Sequence, residues 1–142
     1  MNRSLCLAAT LALVFLVAGC SKGNSPTDLT SPDSIAITSI TPAVGTKLAP
    51  GSTVTFTATV SYSLVSASSG TITLVIENQS DQSLTTTQPQ MTVANGSGTA
   101  SLTGSVTVPA TGVTTIQVFF PLTPAGSTGS PAIAAALYPV GT

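Results

Sequence analysis

Charge is what this 142-residue chain has least of: three Lys or Arg, four Asp or Glu, and no histidine at all. A surface that neutralises nucleic-acid phosphates needs clustered cations, and Arg3, Lys22 and Lys47 are scattered. They form no polybasic segment for an anionic lipid surface either. The missing histidine removes the commonest general base and the commonest metal ligand together. Serines and threonines abound, but nothing in the sequence sets a base beside one. Lys47 is the one base outside the N-terminal stretch, and no motif brings it to a serine. Glu77 and Asp81 lie four apart across a polar stretch and have the residue types of glycosidic chemistry. Solvated turn charges explain them more simply. A hydrolase is therefore the weakest reading, and no catalytic residue, metal ligand or cofactor is expected. Tryptophan is absent too, and the aromatics are limited to Phe15, Phe56, Phe119, Phe120, Tyr62 and Tyr138. Cysteine occurs twice, at Cys6 and Cys20.

What is present begins with an N-terminal address. Met1-Asn2-Arg3 is a short positive start, and Leu5 to Val17 is apolar apart from Thr10. That length suits the core of a signal peptide and falls short of a bilayer span. It ends in Leu16-Val17-Ala18-Gly19-Cys20, which resembles the lipobox of bacterial lipoproteins. The resemblance implies that Val17, Ala18 and Gly19 are recognised by the lipoprotein signal peptidase, that Met1 to Gly19 is removed, and that the Cys20 thiol takes a diacylglyceryl group. The freed amine is then acylated, commonly with palmitate. Each buried methylene contributes about 0.8 kcal/mol, so two or more chains hold a protein stably on a membrane. Ser21, standing where an aspartate would retain the protein in the inner membrane, points to the outer membrane. The other readings are an ordinary secretory signal cut without lipid and a short membrane anchor. With Cys6 lost and Cys20 modified, no pair remains for a disulfide, so the fold must hold by packing.

Residues 20–34 then read as lipidated cysteine and flexible tether, rich in Ser, Pro and Gly. Asp28 and Asp33 match no known calcium loop and are expected as solvated linker charges. From Ile35 to Thr142 the pattern changes to period two. Ile35 and Ile37 open a strand ended by Thr41-Pro42, and Pro50-Gly51 is a turn. Val54, Phe56, Ala58, Val60, Tyr62 and Leu64 then alternate with Thr and Ser without a break, the mark of a half-buried antiparallel strand. Ser66 to Gly70 reads as a loop. Ile72, Leu74 and Ile76 form the next strand, with Val75 breaking its polar side. Leu84 to Thr87 reads as a short edge strand. Met91 to Ala94 and Ser97 to Val108 flank Asn95-Gly96, a hairpin signal. Ile116, Val118 and Phe120 alternate before a Pro121 to Ser130 loop, and Ile133 to Val140, with prolines at both ends, reads as an edge strand. The sequons at Asn78 and Asn95 are explained by the turn chemistry of asparagine.

About seven strands with frequent turns and no helical period predict an all-β, antiparallel β-sandwich. The run SITPAVGTKLAPGSTVTFTATVSYSL also resembles the opening of bacterial Ig-like and fibronectin type III-like modules, though without their tryptophan, cysteine pair or tyrosine corner. Too few long strands and no aromatic girdle argue against a membrane barrel. The resemblances imply a non-enzymatic, lipid-anchored Ig-like domain of the cell envelope that serves protein binding, adhesion or envelope assembly. Its partners are then the membrane, through Cys20, and a protein paired to a poorly guarded strand edge, that of the last strand being the first candidate. A carbohydrate-binding module on the same scaffold is the alternative. Val75 and Phe119 are the candidate contact residues. Phe119 is expected to point away from the core, either toward Val75 on the outer sheet face or, preferred here, under the Pro121 to Ser130 loop.

Overall fold

The computed structural model describes residues 32–142, and the readings made on residues 1–31, the lipobox and most of the tether, lie outside them. Every regular element among the described residues is a strand: β1 (Ser34–Thr41), β2 (Thr53–Thr73), β3 (Val75–Asn78), β4 (Gln90–Thr107), β5 (Thr115–Pro124) and β6 (Ala132–Pro139). All pairings between these strands are antiparallel. The protein is all-β, as its alternation predicts. Six strands form one hydrogen-bonded sheet in the order β1-β2-β5-β3, with β4 beside β2 and β6 beside β5.

Alternation decides which side chains go inside. In β2, Phe56, Ala58, Val60 and Leu64 are buried while Thr53, Thr55 and Thr57 are exposed. In β5, Ile116, Val118, Phe120 and Leu122 are all fully buried. Removing each such large apolar side chain from water contributes about 1.5–3 kcal/mol.

Two expectations fail at one place, and for one reason. Ser66 to Gly70 is not a loop between strands, and Asn95-Gly96 is not a hairpin turn. β2 runs on through the first and β4 through the second, and the two strands stay paired on both sides. Their register jumps, because Leu64 faces Gly96 whereas Ser69 already faces Ala94. Residues Val65 to Ser68 thus stand against Asn95 alone, an outsized bulge of the kind that bends a strand. The local chemistry is turn chemistry in both chains, but it bends the ribbon instead of reversing it. Gly96 takes φ +103°, open to glycine. The Asn95 amide donates to the Ala67 carbonyl at 2.8 Å, across the bulge.

Asp33 fixes that bend. It was expected as a solvated tether charge, but it is 9% exposed. Its Oδ1 accepts the backbone N–H groups of Val65 (2.8 Å) and Ser66 (3.0 Å), and its Oδ2 accepts the Ser66 hydroxyl. The Ser66 hydroxyl is the largest influence on its carboxyl. Desolvation opposes it and the two N–H groups reinforce it, and the net result holds Asp33 below its ordinary pKa.

Beyond the bend, β2 leaves β1 and pairs with β5, Ile72 facing Leu122. The strand is interrupted at Leu74 and resumes as β3 in the same register, Val75 facing Phe119. Thr73 therefore faces Pro121, which has no N–H to give, and the ladder breaks there. β5 runs on through Pro121 to Pro124, so the expected loop is shorter. Residues 84–87 form no strand; an isolated bridge, Glu77 to Ser83, is all that remains of that expectation. Six strands stand where about seven were expected.

Side chains from both ends of the bent sheet meet in one core. The Phe56 ring of β2 lies 4.9 Å from the Tyr138 ring of β6, centroid to centroid. At Gly104 of β4 an added Cβ would stand 3.0 Å from Leu74 Cδ2, so the glycine leaves the Leu74 side chain room that a larger residue would take only by displacing it. The Tyr138 hydroxyl donates to the Pro42 carbonyl at 2.8 Å, tying the last strand to the end of the first, and burial pushes its pKa up. This arrangement is compatible with a β-sandwich made by one sheet folded over.

Candidate binding face

The outward side of the β3–β5–β6 half holds the two predicted contact residues. Val75 of β3 and Phe119 of β5 are direct register partners, and both are half-buried on the outer face. On the other side of β5, Phe119 faces Ala135 and Pro121 faces Ile133. Val75, Glu77, Phe119, Pro121 and Ile133 line an open depression of about 280 Å³. Ile133 is 58% exposed, and Leu137, further along the same face of β6, is 52% exposed. Of the two placements open to Phe119, the one beside Val75 is observed. The preferred one, beneath the 121–130 loop, is corrected, because β5 stays paired with β6 through Pro121 and Leu122 and runs on to Pro124, so the loop begins beyond it.

The depression is chemically simple. It has apolar walls from a valine, a phenylalanine ring, a proline and an isoleucine, with the Glu77 carboxylate at one end. Asp81 is not in its lining; it sits exposed in the Asn78–Gln82 turn with φ +57°. The carboxylate pair weighed above is thus not gathered into one pocket. Asn78 organises that turn, accepting the Ser80 and Gln82 N–H groups on Oδ1 at 2.9 and 3.1 Å, as its turn chemistry predicts. Lys47 is committed elsewhere, its Nζ donating to the Thr142 oxygen at 2.6 Å.

A second, wider hollow of about 730 Å³ lies between Pro32-Asp33, Ser66 and the Pro124–Pro131 connection. Its one charged lining group, Asp33, is already engaged with the β2 bulge.

The edge expected to be open is partly closed. Gly45 N–H donates to the Leu137 carbonyl (3.1 Å) and Leu48 N–H to the Pro139 carbonyl (2.8 Å), so the 45–48 segment covers the C-terminal half of β6. The Leu84 N–H donates to the Ile76 carbonyl (2.9 Å), so β3 is covered by the segment that follows it. The residue that sequence reasoning undervalued is Asp33. An aspartate between prolines and serines carries no signal that it clamps a bulge far along the chain.

No model of a known protein family matches the chain, and none of the curated proteins matches it.

Proposed function

We propose that this protein is a membrane-anchored, non-enzymatic lipoprotein of the cell envelope whose β-domain serves protein binding, adhesion or envelope assembly. The observation that carries the binding half of this reading is the outer face of β3, β5 and β6. A solvated sheet face should alternate to polar residues, yet here Val75, Phe119, Pro121, Ile133 and Leu137 face outward together. The anchoring half rests on Leu16 to Cys20 and on the acyl chains the lipobox resemblance implies. The tether gives the domain reach, and the bent sheet holds the face. Protease shaving of intact cells tests the reading, with wild type compared with Cys20→Ala. Wild type is expected in the membrane fraction, and Cys20→Ala in the soluble one. A Cys20→Ala chain as firmly membrane-bound as wild type overturns the anchor. Digestion of the anchored domain in intact cells assigns it to the outside and favours adhesion. Protection until the outer membrane is opened assigns it to the periplasm and favours envelope assembly.

Carbohydrate binding is the second reading, and one arrangement favours it: a half-exposed Phe119 ring beside the Glu77 carboxylate on a sheet face. Sugar recognition uses an aromatic platform with a polar group at its rim. A glycan array that stays dark with wild type removes it; a signal that Phe119→Ala abolishes would put it first.

A further inference from the structure

The longest strand with a single ladder partner in the described domain is β4, not β6. β4 is 18 residues long, and β2 is its one hydrogen-bonded neighbour among the described residues. Val108 N–H donates to the Ser52 carbonyl on the β2 side. Alternation along an antiparallel strand then turns the N–H and C=O groups of Thr107, Ser105, Thr103, Ser101, Thr99 and Ser97 away from β2. The usual guards of such an edge are missing. From Ser97 to Thr107 there is no charge and no proline, and among the described residues no segment hydrogen-bonds across the edge as 45–48 does on β6.

The strand also fits itself. Laid antiparallel against a second copy with Leu102 on the two-fold axis, Ser97 faces Thr107, Thr99 faces Ser105, and Ser101 faces Thr103. Every outward pair is Ser with Thr. That is the chemistry β4 already uses toward β2, where four hydroxyl pairs meet: Thr53 with Thr107 (3.4 Å), Thr55 with Ser105 (2.8 Å), Thr57 with Thr103 (3.3 Å) and Thr59 with Ser101 (3.1 Å). No like charges meet in this register, because the strand has none. Any other extended chain would have to match this pattern, whereas a second copy matches it by symmetry.

We propose that two copies of this chain pair through their β4 edges, continuing the β1-β2-β4 part of the sheet across a two-fold axis. The inference goes beyond the binding face described above, adding a second site at the β4 edge and naming its partner, and it rests on the anchored reading only for the concentration of the two copies. The contact is backbone hydrogen bonding along one strand, so the pair is of the weak class, and confinement of tethered copies on one membrane supplies the effective concentration it needs.

Disulfide trapping in cells tests it. Two differently tagged full-length chains are co-expressed, one with Ser101→Cys and the other with Thr103→Cys, and treated with a mild oxidant. Facing residues of an antiparallel ladder have Cα atoms about 5.5 Å apart, within disulfide reach. A mixed disulfide many-fold above that of a Thr55→Cys and Thr57→Cys pair, which lies on β2 away from the edge, is expected. Thr99→Pro, which removes an edge-facing N–H and leaves the β2 side intact, should return it to background, and Thr99→Lys should lower it. A mixed disulfide no stronger than the β2 control, or one that Thr99→Pro and Thr99→Lys both leave undiminished, overturns the proposal. Membrane and soluble fractions are scored separately, so lost anchoring shows as a change of fraction and lost pairing as a lost disulfide.

Discussion

The domain has two outer sheet faces built by the same alternation and finished in opposite ways. On β2 and β4 the outward positions are Thr53, Thr55, Thr57 and Thr59 against Thr107, Ser105, Thr103 and Ser101, joined by cross-strand hydroxyl bonds. On β3, β5 and β6 they are mostly apolar, Val75, Phe119, Pro121, Ile133, Ala135 and Leu137, with Glu77 and Gln117 paired among them and Thr115 and Thr123 at the ends of β5. Neither face carries a lysine or arginine, and Glu77 is the one charge between them. Both lie over one core, so core burial does not explain the difference. The threonine face is what β-propensity supplies when nothing else is asked of a surface: β-branched, polar and paired with its cross-strand neighbours. The apolar face departs from that default, and that departure is what makes it the candidate for contact. Its edge differs as well. The apolar half is flanked by covering segments at residues 45–48 and 82–84, whereas the hydroxyl half ends in the bare β4 edge.

The largest way to break the comparison is to remove the core both faces share. Phe56→Ala deletes the ring that meets Tyr138 and should cost about 3–5 kcal/mol. Both halves should unfold together in one denaturant transition, followed by circular dichroism. Separate transitions would make the halves independent units.

Next comes the clamp that bends one half toward the other. Asp33→Ala removes a charged acceptor of three hydrogen bonds and should cost about 1.5–3 kcal/mol in urea titration. The same clamp predicts a pH dependence. Asp33 has its folded pKa depressed, so its contribution is present above the unfolded value and is lost as pH falls through the folded one. Melting temperature should therefore fall below about pH 4. The acid-side fall should be shallower in Asp33→Asn than in wild type.

Tyr138→Phe loses a single hydrogen bond to the Pro42 carbonyl and should cost about 1 kcal/mol at neutral pH. The smallest stability effects are expected on the faces themselves, where exchange sharpens the contrast between them. Ile133→Thr on the apolar face and Thr57→Val on the hydroxyl face should each shift stability by no more than about 0.5 kcal/mol. They should move retention on a hydrophobic column in opposite directions, Ile133→Thr earlier and Thr57→Val later.

The all-β character was legible because it rests on period-two alternation, which survives whatever the tertiary context. Phe56, Ala58, Val60, Leu64, Ile116, Val118 and Phe120 went inside as the alternation requires. The outward placement of Phe119 followed from the same rule, and its neighbour Val75 from the break it makes in a polar side. Connectivity was less legible. Ser66 to Gly70 and Asn95-Gly96 have the residues of turns, and a bulge uses the same residues as a reversal. Only the shared partnership of β2 and β4 on both sides of the bend tells them apart, and that is a long-range fact. Asp33 was illegible for the same reason, since its three donors lie more than thirty positions away. The bare edge of β4 was hidden by the hairpin reading, which made one long strand into two short ones.

The measurement that bears most directly on the proposed role is the intact mass of the protein extracted from membranes. The anchored reading predicts a chain beginning at Cys20, heavier than its amino acids by a diacylglyceryl group and an acyl chain. A chain that begins elsewhere, or that begins at Cys20 without added lipid, would contradict it.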